Sequence, residues 1–243
     1  HGGRDVFTLV NGSWQSDKDI TSQLRSEVAA NGEKQWIFTE DGGVSYEKFS
    51  AEGRLLSLHS LNGTALTLTY SNGGTNDSAQ SRWPATAPVC KSIATGEVLP
   101  AGRLLCVTDQ FQRQLNFEYD DKGRVTEVLD AAGKKYRYEY DGASGGCTPE
   151  TSGTEQGKAY CSADNLTKIT YPDGKSRTYF YNEQPMINNG NVCSNLWVGG
   201  FGLLYNALTG IVDENGVRYA SWRYNCQGFA IGSEHADGIE KRS

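Results

Sequence analysis

The 243-residue sequence has no long apolar run, and it is poor in proline (6), histidine (3) and methionine (1). No window approaches 18 consecutive apolar residues, and the longest apolar-leaning stretch, Leu196 to Leu208, is interrupted by glycines, so no membrane-spanning helix is predicted. Neither charge sign forms runs, and 29 acidic against 23 basic residues give a net charge of −6. Because a phosphate-binding groove needs surplus Lys and Arg, this balance argues against nucleic-acid binding.

The six cysteines form no Cys-x-x-Cys pair, and with only three histidines available no metal site is predicted. They fall as three sequence neighbours, and we predict three local disulfides: Cys90 with Cys106, Cys147 with Cys161, and Cys193 with Cys226. Each would close a short loop and contribute about 3 kcal/mol. Disulfides imply an oxidising compartment. The alternative, unpaired small core residues in a cytosolic protein, stays open.

Glycine and aromatic residues are abundant, and they recur with a period. There are 29 Gly, 13 Tyr and 5 Trp, a profile typical of short strands joined by tight turns. The clearest unit runs from Gly123-Arg124 through Ala132-Gly133 to Tyr140-Asp141. Four further copies share its offsets, at 53–70, 102–120, 166–182 and 208–225. Self-similarity of this kind indicates a repeat architecture.

Each copy predicts a β-hairpin. Asn-Gly and Asp-Gly dipeptides supply the positive φ angles that two-residue hairpin turns require, and we expect such turns at Asn62-Gly63, Ala132-Gly133, Asp173-Gly174 and Asn215-Gly216. In the second strand of the clearest unit, Tyr136, Tyr138 and Tyr140 fall on one face. We therefore predict an all-β fold of consecutive antiparallel hairpins forming a curved or spiral sheet with little helix, in which Gly-Arg precedes strands and Tyr-Asp ends them.

We predict a single domain over residues 1–243, with irregular insertions near 71–99, 142–164 and 183–205. A cysteine lies near an end of each insertion, so the disulfides are expected to clip these long loops to their hairpins. The first residue, His1, is not Met and no apolar signal region follows it, so we expect the natural start to lie upstream.

The motifs Gly-Arg-Leu or Gly-Arg-Val, Asp with Gly, and Tyr-x-Tyr-Asp resemble the YD repeats of the Rhs family of bacterial polymorphic toxins. The stretch from Leu208 to Glu240 carries the resemblance most specifically, and the stretch from Trp14 through Trp36 to Asp41-Gly42 resembles what precedes the first repeats. In that family, which is related to toxin-complex cages and teneurins, the hairpins coil into a hollow shell around a C-terminal toxin. The resemblance implies that this chain is a piece of such a β-cage.

The resemblance also implies location and partners. A shell segment would be bacterial and secreted, extracellular or at the cell surface. Its partners would be adjoining YD repeats of the same protein and an enclosed C-terminal toxin domain. The sequence itself shows neither the family's self-cleavage segment nor a toxin tail, so containment, without chemistry at its own side chains, is the expected function.

No catalytic, cofactor-binding or metal-binding residues are predicted. Ser233, Glu234 and His235 are consecutive, but neighbours in a strand point to opposite faces and cannot form a relay by themselves. His59 is expected on a sheet surface, and most carboxylates lie at hairpin turns or strand ends, where Asp is favoured. The alternative function is a carbohydrate-binding cell-surface module that uses exposed Tyr and Trp. Against it, tyrosines such as Tyr138 and Tyr179 are expected to form cross-strand ladders that hold the sheet together.

Overall fold

A computed structural model describes residues 5–40, 43, 45–74, 82–91, 99–141, 165–190, 204, 206–235 and 241–242. Among these residues the regular structure is β-strand, apart from two 3-10 turns of three residues each, Gln184–Met186 and Asn188–Gly190. The all-β, antiparallel hairpin prediction is confirmed. The chain divides into two compact units, residues 1–133 and 134–243. The single-domain organisation stays a prediction.

The first unit is an antiparallel meander preceded by a small separate hairpin. Its strands are β1 (Thr8–Val10), β2 (Ser13–Gln15), β3 (Gln23–Val28), β4 (Lys34–Thr39), β5 (Tyr46–Ser50), β6 (Leu55–His59), β7 (Ala65–Ser71), β8 (Arg82–Trp83), β9 (Leu104–Asp109), β10 (Gln114–Tyr119) and β11 (Val125–Leu129). Strands β3 to β7 pair in chain order, β9 follows β7, and β8 pairs only with the end of β7. The β1–β2 hairpin packs on this sheet through edge contacts of Trp14 with Trp36 and Phe7 with Phe38.

The second unit is also a meander, and its strands pair strictly in chain order. They are β12 (Lys135–Tyr140), β13 (Leu166–Thr170), β14 (Ser176–Tyr181), β15 (Leu208–Val212), β16 (Arg218–Tyr224), β17 (Ala230–His235) and β18 (Lys241–Arg242). The five predicted copies all supply strands at the expected places: Gly-Arg directly precedes β6, β9 and β11, and a tyrosine lies at or near the end of each second strand.

Strand register gives the middle of the first unit one polar and one apolar face. Across β7, β9 and β10 the polar face carries Thr67, Thr69, Cys106, Thr108, Gln114 and Asn116. The apolar face of the same strands carries Leu66, Leu68, Val107, Leu115 and Phe117. In β10 burial is the reverse of the usual pattern: Gln114 and Asn116 are 5% and 4% exposed, whereas Leu115 is 43% exposed. Another part of the chain must therefore cover the polar face.

Candidate functional site

In four of the five copies the tyrosine at the end of the second strand closes its own hairpin through its hydroxyl group. The bonds run from Tyr70 to the Leu55 carbonyl (2.6 Å), Tyr119 to Leu104 (2.7 Å), Tyr181 to Leu166 (3.0 Å) and Tyr224 to Leu208 (2.9 Å). In every case the acceptor is the first residue of the hairpin's first strand, and a register shift directly precedes the tyrosine. Burial raises the pKa of all four phenols, so they remain neutral donors.

The residue after the tyrosine organises the turn to the next hairpin. The Asp120 carboxylate accepts hydrogen bonds from the backbone N–H groups of Lys122 (3.0 Å) and Arg124 (2.9 Å). Asn225 does the same for the residues two and four positions on. The Arg124 guanidinium also pairs with Asp120. The Tyr-Asp and Gly-Arg motifs are thus the two ends of one turn.

The hairpin turns differ from the sequence prediction. In the turns at Gly63, Gly133, Gly174 and Gly216 the glycine N–H bonds the carbonyl three residues earlier, and the glycine alone has positive φ, between 77° and 84°. These are three-residue loops with a left-handed glycine, so the predicted two-residue turns were wrong. The Asn62 and Asp173 side-chain oxygens accept the backbone N–H groups two residues on, and in the last turn Asp213 accepts the backbone N–H of Asn215.

All three insertions lie in the turn that follows the tyrosine near the end of a second strand and joins one hairpin to the next. At the first, Ser71 and Arg103 make the backbone bond of an ordinary turn (2.8 Å), and the Gly102 N–H bonds the Ser71 carbonyl (2.8 Å). The corresponding bonds at the other two join Asp141 to Asn165 (3.0 Å) and Asn182 to Ala207 (3.1 Å). Each insertion therefore replaces the middle residues of a turn that still closes. We call these the graft turns.

Residues 82–91 of the first insertion, which we call the strap, lie across the polar face. The Gln114 carboxamide donates to the Val89 carbonyl (2.9 Å) and accepts from the Lys91 N–H (2.9 Å). The Thr69 hydroxyl donates to the Pro88 carbonyl (2.9 Å). Hydrogen bonds to the strap offset the cost of removing these polar side chains from water. This explains why they are buried.

A disulfide fixes the strap to the sheet. Cys90 and Cys106 are bonded, with their Cα atoms 5.7 Å apart, and both are buried. This is the first of the three predicted pairs. Cys226 is disulfide-bonded as well. Its predicted partner Cys193, and the predicted pair Cys147 and Cys161, lie outside the described residues, so those two pairings stay predictions.

Gly-Arg has a second structural use. A Cβ on Gly102 would overlap the guanidinium of Arg54, and one on Gly123 would overlap that of Arg103. Arg54 also lies over the Tyr70 ring, 5.3 Å from its centroid, and Arg103 lies 6.0 Å from that of Tyr119. The arginine of one repeat thus packs between its own tyrosine and the glycine of the next.

The residues weighed as catalytic candidates have structural partners. His59 forms a 2.9 Å hydrogen bond with Ser57 and stacks on the Tyr46 ring. Its pKa is lowered mainly by burial and also by the nearby positive charge of Lys48. His235 contacts Tyr219 edge-on. Across the residues that the structure describes, no three His, Cys, Asp or Glu side chains are grouped to hold a metal ion. The same part of the chain contains no helix long and apolar enough to cross a membrane.

The molecule described so far is a structural scaffold of consecutive β-hairpin repeats. The family model described as RHS Repeat matches residues 119–144, a range that includes strands β11 and β12. The chain carries an RHS repeat, which confirms its resemblance to the YD-repeat proteins of the Rhs family. No curated protein matches the chain.

Several solved structures show a distant likeness. The crystal structure of TcdB2-TccC3-Cdc42 is 13% identical over 90% of this chain and 13% of that one, with a TM-score of 0.28. The Tc holotoxin pore of Photorhabdus luminescens is 11% identical over 89% and 11%, with a TM-score of 0.28. A porin-like protein from Bacteroides uniformis is 13% identical over 92% and 93%, with a TM-score of 0.24. All three TM-scores are below 0.5, so these likenesses support no functional conclusion.

Proposed function

We propose that this chain is a non-catalytic wall segment of an RHS-type secreted bacterial toxin protein, in which adjoining YD repeats enclose a C-terminal toxin domain. The observation that carries the proposal is the use of the repeated polar residues. The recurring tyrosine, aspartate, glycine and arginine each hold a hairpin or a turn, as Tyr119, Asp120 and Arg103 show. The motif thus serves architecture, which is what a containing wall requires.

The carbohydrate-binding alternative has less support among the described residues. Trp14 and Trp36 contact each other, and Trp83 lies beside Tyr70 with the Arg54 guanidinium over its ring. Each of these tryptophans, and Trp222, is half-buried. Cationic side chains lie over the rings of Trp36 and Trp83, whereas a sugar platform needs an open aromatic face.

The test begins with the complete reading frame that encodes this segment. We expect further YD repeats on both sides and an unrelated C-terminal region, and we expect that region to resist limited proteolysis in the whole protein. Replacing Tyr70 and Tyr119 with Ala should open the wall and speed its cleavage, while the half-exposed Tyr219→Ala should not. A frame that ends close to Ser243, together with calorimetric binding of a defined oligosaccharide, would favour the lectin-like module instead.

A further inference from the structure

The strap is recognised through its backbone. Gln114 bonds the carbonyl of Val89 and the N–H of Lys91, which is the pair of bonds that a neighbouring strand would supply. Thr69, whose side chain is fully buried, bonds the carbonyl of Pro88. Main-chain recognition of this kind accepts an extended peptide, and specificity comes from the side chains between the bonds.

The sheet does not depend on the strap for its closure. The graft turn is held by backbone bonds of Ser71 with Gly102 and Arg103, by a 2.9 Å bond from the Arg103 N–H to the Ser71 hydroxyl, and by a 2.6 Å bond from that hydroxyl to the Pro100 carbonyl. Residues 72–81 and 92–101 link the strap to this turn on either side. Leu99 and Pro100 are held at the sheet, so the shorter linker is the seven residues 92–98. Seven extended residues reach at most about 23 Å, so a released strap could meet another molecule while its own hairpins stay paired.

One covalent bond prevents that release. The disulfide between Cys90 and Cys106 joins the strap to the floor of its site. Reduction by a dithiol would transfer two electrons and two protons to it, giving two protein thiols and converting the dithiol to a disulfide. Reoxidation by glutathione disulfide would reform the bond and release two glutathione thiols.

We propose that the strap site is a docking groove for an extended peptide and that, after reduction, it accepts the strap of a second copy of this chain. The second copy is the fitting occupant because its strap presents the same backbone spacing to Gln114 and Thr69 and places a thiol at Cys106. Reoxidation then yields strap-exchanged dimers in which Cys90 of one copy is bonded to Cys106 of the other. The proposal does not depend on the wall function.

The experiment combines two full-length variants that cannot form the intramolecular bond. Cys90→Ser keeps the groove thiol, and Cys106→Ser keeps the strap thiol. After reduction, mixing and reoxidation with glutathione disulfide, we expect a disulfide-linked heterodimer on non-reducing electrophoresis. Mass spectrometry of a tryptic digest should find residues 83–91 joined to residues 104–113. Neither variant alone should yield that linkage.

The matched control places Gln114→Leu in one partner at a time. In the Cys90→Ser partner it removes the groove's backbone contacts, and the heterodimer yield should fall at least about fivefold. In the Cys106→Ser partner it leaves the accepting groove intact and should not lower the yield. Thr69→Val in the accepting partner provides a second test, and circular dichroism checks that each variant is folded. Absence of the heterodimer, or equal loss with Gln114→Leu in either partner, would overturn the proposal.

Discussion

Two insertions leave the sheet through the same kind of turn and are anchored by different chemistry. In the first unit the strap is held by a disulfide and by neutral groups, chiefly Gln114. In the second unit the segment 183–190 is held by an ion pair: the Glu183 carboxylate bonds both terminal nitrogens of the Arg218 guanidinium, at 3.0 and 2.6 Å. Ile187 of the same segment is 2% exposed and forms a β-bridge with Tyr224.

The comparison separates the contacts that every repeat provides from the contacts that are specific to each insertion. The graft turn and the tyrosine closure are common to both units, so an insertion can be added without new sheet contacts. Each anchor is local, and the two anchors should respond to different solution conditions. The strap should be indifferent to mild acid, whereas the segment 183–190, which is held by the Glu183 carboxylate, should respond to it.

Removing the disulfide should have the largest effect. Cys90→Ala with Cys106→Ala is expected to destabilise the first unit by about 3 kcal/mol, the loop-entropy value for a loop of this size. Urea unfolding gives the magnitude, and hydrogen exchange locates it. Protection should fall in β9 and β10 and stay unchanged in β15 and β16. Equal loss in both units would mean that the anchors are not local.

Breaking the ion pair should cost less. Arg218→Met is expected to destabilise the second unit by about 1.5 kcal/mol, a value reduced because roughly a third of each side chain meets solvent. A double-mutant cycle with Glu183→Gln isolates the pair. Arg218→Lys, which keeps the charge and loses the two-pronged geometry, should recover part of the loss. Additive single changes would contradict the assigned anchor.

The tyrosine closures should prove equal in the two units. Tyr119→Phe and Tyr224→Phe each delete one hydrogen bond to a backbone carbonyl, and each should cost about 1 kcal/mol. Tyr219→Phe, at a half-exposed ring that closes no hairpin, serves as the control and should be nearly neutral. Thermal or urea unfolding measures all three. A large difference between Tyr119 and Tyr224 would show that the closure is not a shared device.

A single substitution should increase the stability of one turn that contacts the strap. Gln112 occupies the turn position that glycine fills elsewhere and has φ of 62°, while its carbonyl accepts the Lys91 ammonium at 2.8 Å. Gln112→Gly keeps that carbonyl and should stabilise the first unit by about 0.5 to 1 kcal/mol. The reverse change, Gly133→Gln at a left-handed glycine with open space around it, should destabilise by a similar amount. If Gln112→Gly is destabilising, the turn is not strained.

The sequence predicted the strands and the repeat, but it did not predict which face of the sheet is buried. Period-two alternation and Tyr-Asp spacing were sufficient for the strands and the repeat, because both are local. Alternation places neighbours such as Gln114 and Leu115 on opposite faces of a strand, but it does not tell which face is buried. That depends on a strap 25 positions earlier whose contacts are mainly to its backbone and therefore leave little sequence signal. The tyrosine hydroxyl bonds do not follow from the sequence, because ring stacking between strands accounts for the same alternate tyrosines.

The smallest expected effect is acid sensitivity confined to the segment 183–190. Burial opposes ionisation of Glu183, but hydrogen bonds from Arg218 prevail and its pKa lies below the ordinary value. The pair therefore stabilises fully above the ordinary glutamate pKa, and this contribution is lost as pH falls through the lower folded value. Methyl NMR signals of Ile187 and Ala87, both buried, report on the segment and the strap respectively.

On acidification the Ile187 signal should move or broaden before that of Ala87, because the strap's anchors Gln114, Thr69 and the disulfide do not titrate. Glu183→Gln should abolish the early change, since the amide carries no charge to lose. The Cys90→Ala and Cys106→Ala variant is the matched control, because it weakens the strap without adding a titrating group. If Ile187 and Ala87 respond together at every pH, the transition is general acid unfolding, and the two anchors do not differ as their chemistry requires.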